Sequence, residues 1–318
     1  MKKTLALVIA LCMVFALCTA SAFAAYPDKQ ITVVCPYAAG GASDTASRIY
    51  AQMLQSIVGV PVIVDNQTGA NGSIGMTAGA TADPDGYTIT YMPVESVLNK
   101  IGGIGDVSSD DFTFIALADV IPAAITVRAD DDRFTDFESF IEYAKANPGE
   151  VSVGNSGAKT SIWFVAACVL QDVAGIELNN VAYSDGAAAA IAALNAGDID
   201  AVSVSAAEVS TMVIDGELKC LAILGDNHSS APGMEDIATA TELGYPVSVS
   251  GWGGFAVPNG TPDDVVAFLV EASEKAINSD EMLEVFTSRG YEPYYLNGVD
   301  AGAFAKEQLD YFAELLAE

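Results

Sequence analysis

Apolar positions along this chain follow two spacings in turn. Short, nearly continuous apolar runs such as "ITVVCPY" and "VPVIVDN" have strand character. They are followed by stretches in which apolar residues recur every three or four positions, as on a helix face. Ala46, Ile49, Tyr50, Met53, Leu54 and Ile57 form one such face, with Ser43 or Asp44 placed to cap the helix. Phe137, Phe140, Ile141 and Ala144 form a second, which stops at Pro-Gly; Val266, Leu269, Val270, Ser273 and Ile277 form a third. Further strands are predicted at "GYTITYM", "EVSVGNS", "NNVAY", "DIDAVSVS", "LKCLAIL" and "GWGGFAVP". Further helices are predicted just after "QTGANGSIGM" and at "SIWFVAACVLQDV", "AAAAIAALNAG" and "AFAKEQLDYFAELLA". Strands that alternate with helices imply an α/β architecture with largely parallel sheets covered on both faces. Ligands of such sheets bind at the carboxyl ends of strands, and the glycine-bearing loops of this chain lie there.

Residues 1–24 read differently. Two lysines precede an apolar stretch from Leu5 to about Ala20, and Ala22 and Ala24 then fit the A-x-A spacing of a secretory signal peptide cleaved near Ala24. A membrane anchor wants a longer apolar stretch. Lipid attachment at Cys18 wants a small residue before it, where the chain has Leu17. The expectation is a soluble, exported protein, periplasmic or otherwise extracytoplasmic, that begins near Ala25. Its charge narrows the partners. The whole chain carries 42 acidic against 13 basic residues, net −29, and loss of Lys2 and Lys3 makes that −31. Nucleic acid needs a basic surface and is excluded as a partner; anionic lipid is disfavoured for the same reason. With 51% apolar residues there is ample material for a core. About 290 exported residues suggest two domains or one large one. Cys35, Cys168 and Cys220 sit in apolar contexts without CxxC spacing, so they read as small buried hydrophobes, although one pair could bond in an oxidising compartment.

Candidate chemistry comes from "PYAAGGASD" at 36–44 and "GNSGAKTS" at 154–161. Neither is a P-loop, a dinucleotide fingerprint or a nucleophile elbow. No zinc or calcium spacing is present, and no cofactor or metal is expected. His228, the single histidine, lies in the loop "GDNHSSAPG" and reads as a surface residue rather than a catalytic base. Acidic residues fall mostly at helix starts and in loops, where capping and solvation account for them. Each glycine loop instead offers unpaired main-chain donors and the positive end of a helix dipole, which suits an anion. A tight strand-to-helix connection would use glycine equally well.

The chain resembles the periplasmic receptors of tripartite tricarboxylate transporters, the Bug-type solute-binding proteins. The resemblance runs through "YPDKQITVVCPYAAGGASDTASR", "VPVIVDNQTGANGSIG", "ADPDGYTI", "DFTFIA", "YAKANPGEVSVGNSG", "VAYSDG", "LNAGDIDA", "GELKCLAI" and "ELGYPVSVSGWGGFAVPNGTP", in order. It implies a two-lobed Venus-flytrap fold, type II-like, each lobe a mostly parallel sheet flanked by helices. It places lobe 1 at 25–121 plus 225–318 and lobe 2 at 122–224, to within ten residues. It implies that a small mono-, di- or tricarboxylate is held by backbone groups, hydroxyls and waters. The corresponding residues here are Tyr37, Ala38, Gly40, Gly41, Ser43 and Asp44 in the first lobe, and Asn155, Ser156, Gly157, Thr160 and Tyr183 in the second. Asp44 is expected to cap its helix and orient water; Trp252 and Gly253 are expected near the hinge or a cleft wall. Asn66, Pro84, Asp85, Gly86 and Tyr87 are expected to be structural, "PDGY" being turn chemistry. The implied partners are permease subunits, and the implied state is a monomer without catalytic activity. A membrane sensor kinase is the alternative partner, and a secreted hydrolase the alternative class. The sequence departs from the family pattern at Ser184 and Asp185, at Lys159, and at "GDNHS", which lacks the usual arginine.

Overall fold

The computed structural model describes residues 26–183 and 186–316; the expected signal peptide and the departures at Ser184 and Asp185 lie outside the described residues. The chain opens with β1 (Ile31–Cys35), α1 (Ala42–Val58), β2 (Val62–Asn66), α2 (Ser73–Ala80), β3 (Thr88–Pro93) and α3 (Glu95–Ile101). A long strand, β4 (Phe112–Arg128), follows. Next come α4 (Phe137–Ala146), β5 (Ser152–Ser156), α5 (Ile162–Ala174), β6 (Asn179–Tyr183), α6 (Ala187–Ala196), β7 (Ala201–Ser205), α7 (Ala206–Ile214) and β8 (Leu218–Ile223). The chain ends with β9 (Ser250–Pro258), α8 (Asp263–Ile277), α9 (Asp280–Ser288), β10 (Glu292–Asn297) and α10 (Gly298–Leu315).

These strands make a two-lobed α/β fold around two sheets that share β4. The first sheet runs β2-β1-β3-β9-β4 with β10 also on β4; the second runs β6-β5-β7-β4 with β8 also on β4. Within each, three strands are mutually parallel: β1, β2 and β3, then β5, β6 and β7. The pairings of β4 and β9 are antiparallel. Residues 112–122 of β4 pair with β9, and from Ala123 onward β4 pairs with β7 and β8. Pro122 stands at the change, where a residue without an N–H does least harm to a ladder.

The helix faces pack much as the spacing predicts. On α4 the four predicted residues are all buried, and Asp136 and Ser139 close a capping box at its start. On α1, Tyr50 stacks on Phe255 at 3.6 Å between ring centroids, and its hydroxyl bonds to Ser273 on α8 at 2.7 Å. That bond explains a serine in the apolar stripe of α8: it is fully buried and satisfied. Ile57, in the last turn of α1, is exposed. The pattern does not predict β4, α3, α7, α9 or β10. The N-cap of α1 is Gly41, not Ser43 or Asp44, and no side chain caps it. The Asp44 carboxylate is drawn away to Arg48 and Asn66 and reaches back only to the Gly40 N–H. All three cysteines of the described region are free.

Candidate functional site

Both glycine loops leave the carboxyl ends of parallel strands and enter helices, the first between β1 and α1 and the second between β5 and α5. They meet at a cavity of about 310 Å3 lined by Tyr37 and Ala38 from the first and Gly157 and Ala158 from the second. A third segment, between β2 and α2, supplies Thr68, Gly69, Asn71 and Gly72. The sequence places that glycine-rich segment at a strand's carboxyl end, but no site residue is expected in it. Its signal is Asn71, held at φ +50° where few side chains settle. Asn71 and Asn99 of α3 exchange two amide hydrogen bonds, of 2.9 and 2.8 Å, which lock the loop to a buried partner.

The first loop is braced from below. Gly40, at φ +87°, turns the chain and donates its N–H to Asp44 Oδ2 at 2.8 Å. Asn66 donates from Nδ2 to the Tyr37 carbonyl at 2.9 Å and to Asp44 Oδ1 at 2.8 Å. Arg48 donates to both Asp44 and Asn66. Burial works to raise the Asp44 carboxyl; the Arg48 bond, the Gly40 N–H and the Asn66 amide outweigh it and hold it below its usual range. This acid is fully occupied within the loop, and the first N–H groups of α1, at Ala42, Ser43 and Asp44, have no acceptor within the helix. Ala38, Gly40 and Gly41 are exposed.

The second loop is tied differently. The Tyr183 carbonyl accepts from the Gly157 and Gly186 N–H groups at 2.8 and 2.9 Å, joining the ends of β5 and β6. Ser161 caps α5: its hydroxyl donates to the Ser156 carbonyl and accepts from the Phe164 N–H. Asn155, fully buried, anchors its amide on Val153 and Asn180, but its Oδ1 has no partner. The Thr160 hydroxyl is also buried without a partner, while its methyl packs against Gly102 at the end of α3. Lys159 is exposed. Of the eleven residues expected at the site, Tyr37, Ala38 and Gly157 line the cavity; Ser43 and Asp44 stand in the first turn of α1, and the other six in the loops and strand ends around it.

Two acids lie behind this surface. The Glu95 carboxyl approaches the Tyr37 hydroxyl and the Ile162 N–H at the start of α5; burial pushes it up against the pull of these donors. Burial, with Glu95 beside it, pushes the Tyr37 hydroxyl well above its usual range. Asp119 on β4 is 1% exposed, neither oxygen has a partner, and burial pushes it up to about 8. The Tyr91 hydroxyl and Asp119 Oδ1 both crowd against Gly253, so the expected wall position at Gly253 is one that only a hydrogen side chain fits. Tyr91 in turn faces Ser43. His228 bonds to Glu242 and the Glu235 carbonyl, away from the cavity-lining residues. Among the described residues no group of three or more His, Cys, Asp or Glu could hold a metal.

Residues 46–318 match the family model described as "Tripartite tricarboxylate transporter family receptor". A relative from Pseudomonas sp. (strain P51), named "UPF0065 protein in tcbD-tcbE intergenic region", is 32% identical, over 89% of this chain and 84% of its own. The structure is similar to a TctC solute-binding protein from Polaromonas, with 31% identity, a TM-score of 0.79, and coverage of 92% of this chain and 99% of that one. It also shares the fold of MatC from Rhodopseudomonas palustris, solved with bound malate (24% identity, TM-score 0.74, 91% and 99% covered). The chain belongs to the tripartite tricarboxylate transporter receptor family.

Proposed function

We propose that the protein is an extracytoplasmic solute-binding protein that captures a small organic carboxylate between its lobes, without catalysing a reaction. It delivers that ligand, as a monomer, to the permease subunits of a tripartite tricarboxylate-type transporter. The observation that carries this reading is the convergence of two glycine loops, each at a helix start, on one cavity. Main-chain donors there can take a carboxylate without a buried counter-charge. The bound malate of the Rhodopseudomonas palustris relative supports the ligand class. The leader-like residues 1–24 support the location.

The proposed lobes are 25–121 plus 225–318, and 122–224. The crossings where Leu224 donates to the Ala123 carbonyl and Val249 donates to the Leu224 carbonyl support that division. The proposed ligand contacts are Tyr37, Ala38, Gly41 and Ser43 from one lobe and Ser156, Gly157, Thr160 and Tyr183 from the other, with Gly40, Asp44 and Asn155 holding their loops. Closure follows from contacts made to the ligand by both lobes at once. Thermal unfolding against dicarboxylates, citrate, aromatic acids and acidic amino acids, with the neutral amides as controls, tests this. A ligand at 100 times its Kd adds about 2.7 kcal/mol. A shift with an acid and none with its amide supports the cradle; no shift with any acid, for a folded and ligand-free sample, sinks it.

A further inference from the structure

β4, the strand common to both sheets, and its neighbour β9 flank a second cavity, of about 240 Å3, which has no lining residue in common with the first. Successive residues of a strand point to opposite faces. On β9, Gly253 abuts Tyr91 and Asp119 of the neighbouring strands, and Gly251 abuts Ile162 and Trp163 where α5 begins. Trp252 therefore points the other way, toward α10, and packs on Phe304 of that helix. Val120 and Pro122 of β4 and Ser250 of β9 join it in lining the second cavity.

Its walls are of two kinds. Trp252, Phe304 and Tyr294 form an aromatic corner, with centroids 5.8 Å apart at 76° for Trp252–Phe304 and 6.1 Å apart at 59° for Tyr294–Phe304. Asp226, in the loop after β8, and Glu292, at the start of β10, bring two carboxylates to the same space. Glu292 is positioned by the Ser230 N–H. No lysine, arginine or histidine is among the lining residues, and Lys306, the lysine of α10, is paired with Asp310. Trp252 is 3% exposed, and its indole N–H has no acceptor.

We propose that this cavity binds a small organic cation, a quaternary or tertiary ammonium that also carries a hydroxyl or carbonyl oxygen. Aromatic faces attract such a cation, whose alkyl shell makes it cheaper to dehydrate than a lysine ammonium. The two carboxylates more than offset its single charge and would repel an organic acid. The ligand oxygen accepts from the Trp252 N–H, which otherwise remains a buried donor without a partner. Calcium or magnesium wants six or more oxygen ligands, which aromatic walls do not give. At about 240 Å3 the space suits a ligand smaller than drug-sized ones. The net charge of −29 also draws cations toward the protein, most strongly at low salt.

Choline is the probe, and the emission of Trp252 in a Trp163→Phe background is the readout, since the chain has two tryptophans. Saturable binding is expected, weakened by roughly tenfold or more for the neutral isostere in which carbon replaces the ammonium nitrogen. Tyr294→Ala and Asp226→Asn, both at exposed positions, should each weaken choline several-fold. Each should leave any acid-induced thermal shift intact, which separates loss of this site from loss of the fold. No saturable response to choline overturns the proposal. So does equal binding of the isostere, or affinity indifferent to both substitutions. Tetramethylammonium binding as tightly as choline overturns the role given to the Trp252 N–H.

Discussion

Between the loop at 36–44 and the loop at 156–161 the difference lies in what is already committed. Below the first, Asp44, Arg48 and Asn66 form a closed set of charge-assisted bonds, with carboxylate, amide and guanidinium each satisfied by the others. Behind the second, Asn155 Oδ1 and the Thr160 hydroxyl are buried with nothing to bond. A cradle braced from behind is rigid before a ligand arrives; one with idle polar groups gains most when something reaches them. If the two loops hold a carboxylate as proposed, the first presents a fixed platform and the second completes it.

Four experiments break or sharpen that contrast. Ala158→Trp fills the shared cavity from the second side, and acid-induced stabilisation should vanish while the unliganded melting temperature stays put. A retained ligand shift would move the binding site elsewhere. Asp44→Ala strips the brace from the platform. With Asp44 buried and Arg48 half exposed, the expected loss is about 2 kcal/mol by urea titration, together with weaker acid binding. Because the folded Asp44 carboxyl is held low, its contribution is present above the usual carboxylate range and fades as pH falls through the folded value. In the variant that acid-side loss should shrink.

Asp119→Asn probes the acid behind the platform. Its folded pKa is raised to about 8, so the folded state keeps a proton that the unfolded chain gives up from roughly pH 4 upward. Wild-type stability should therefore decline as pH rises from about 4 toward 8. The asparagine variant should match it near pH 4 and surpass it at pH 9; parallel melting curves across that range would show Asp119 to be ionised in the fold. Thr160→Val has the smallest expected effect. It keeps the contact with Gly102 and removes a hydroxyl that bonds nothing, so stability should change by less than about 0.5 kcal/mol. Acid affinity should fall by up to about tenfold, as for one lost hydrogen bond. Unchanged affinity would make the second loop as self-contained as the first.

Much of the fold can be read from spacing where one face is clearly buried, as on α4 and α8. The strand β4 escapes because it is largely apolar on both faces over 17 residues, and Asp119 and Pro122, residue types common in turns, fall inside it and break its pattern. At the site, the two glycine loops are legible because glycine at a strand's carboxyl end before a helix is a backbone signal. The contribution of 68–72 is not. It comes through main chain and a positive φ at Asn71, and the buried partner that fixes it, Asn99, lies 28 residues away. The reading of Asp44 as a helix cap fails for a similar reason. Arg48 and Asn66 compete for the carboxylate, and only the fold brings Asn66 there.

The strand order has a consequence for how the molecule is made. β3 and β4 lie close in sequence, yet β9 sits between them. During synthesis the first lobe has its outer strands early but lacks the strip that joins them to β4 until Ser250–Pro258 emerges. Its inner strands present open edges over most of the chain's elongation, so this lobe cannot finish folding first. Its completion waits on nearly the whole polypeptide.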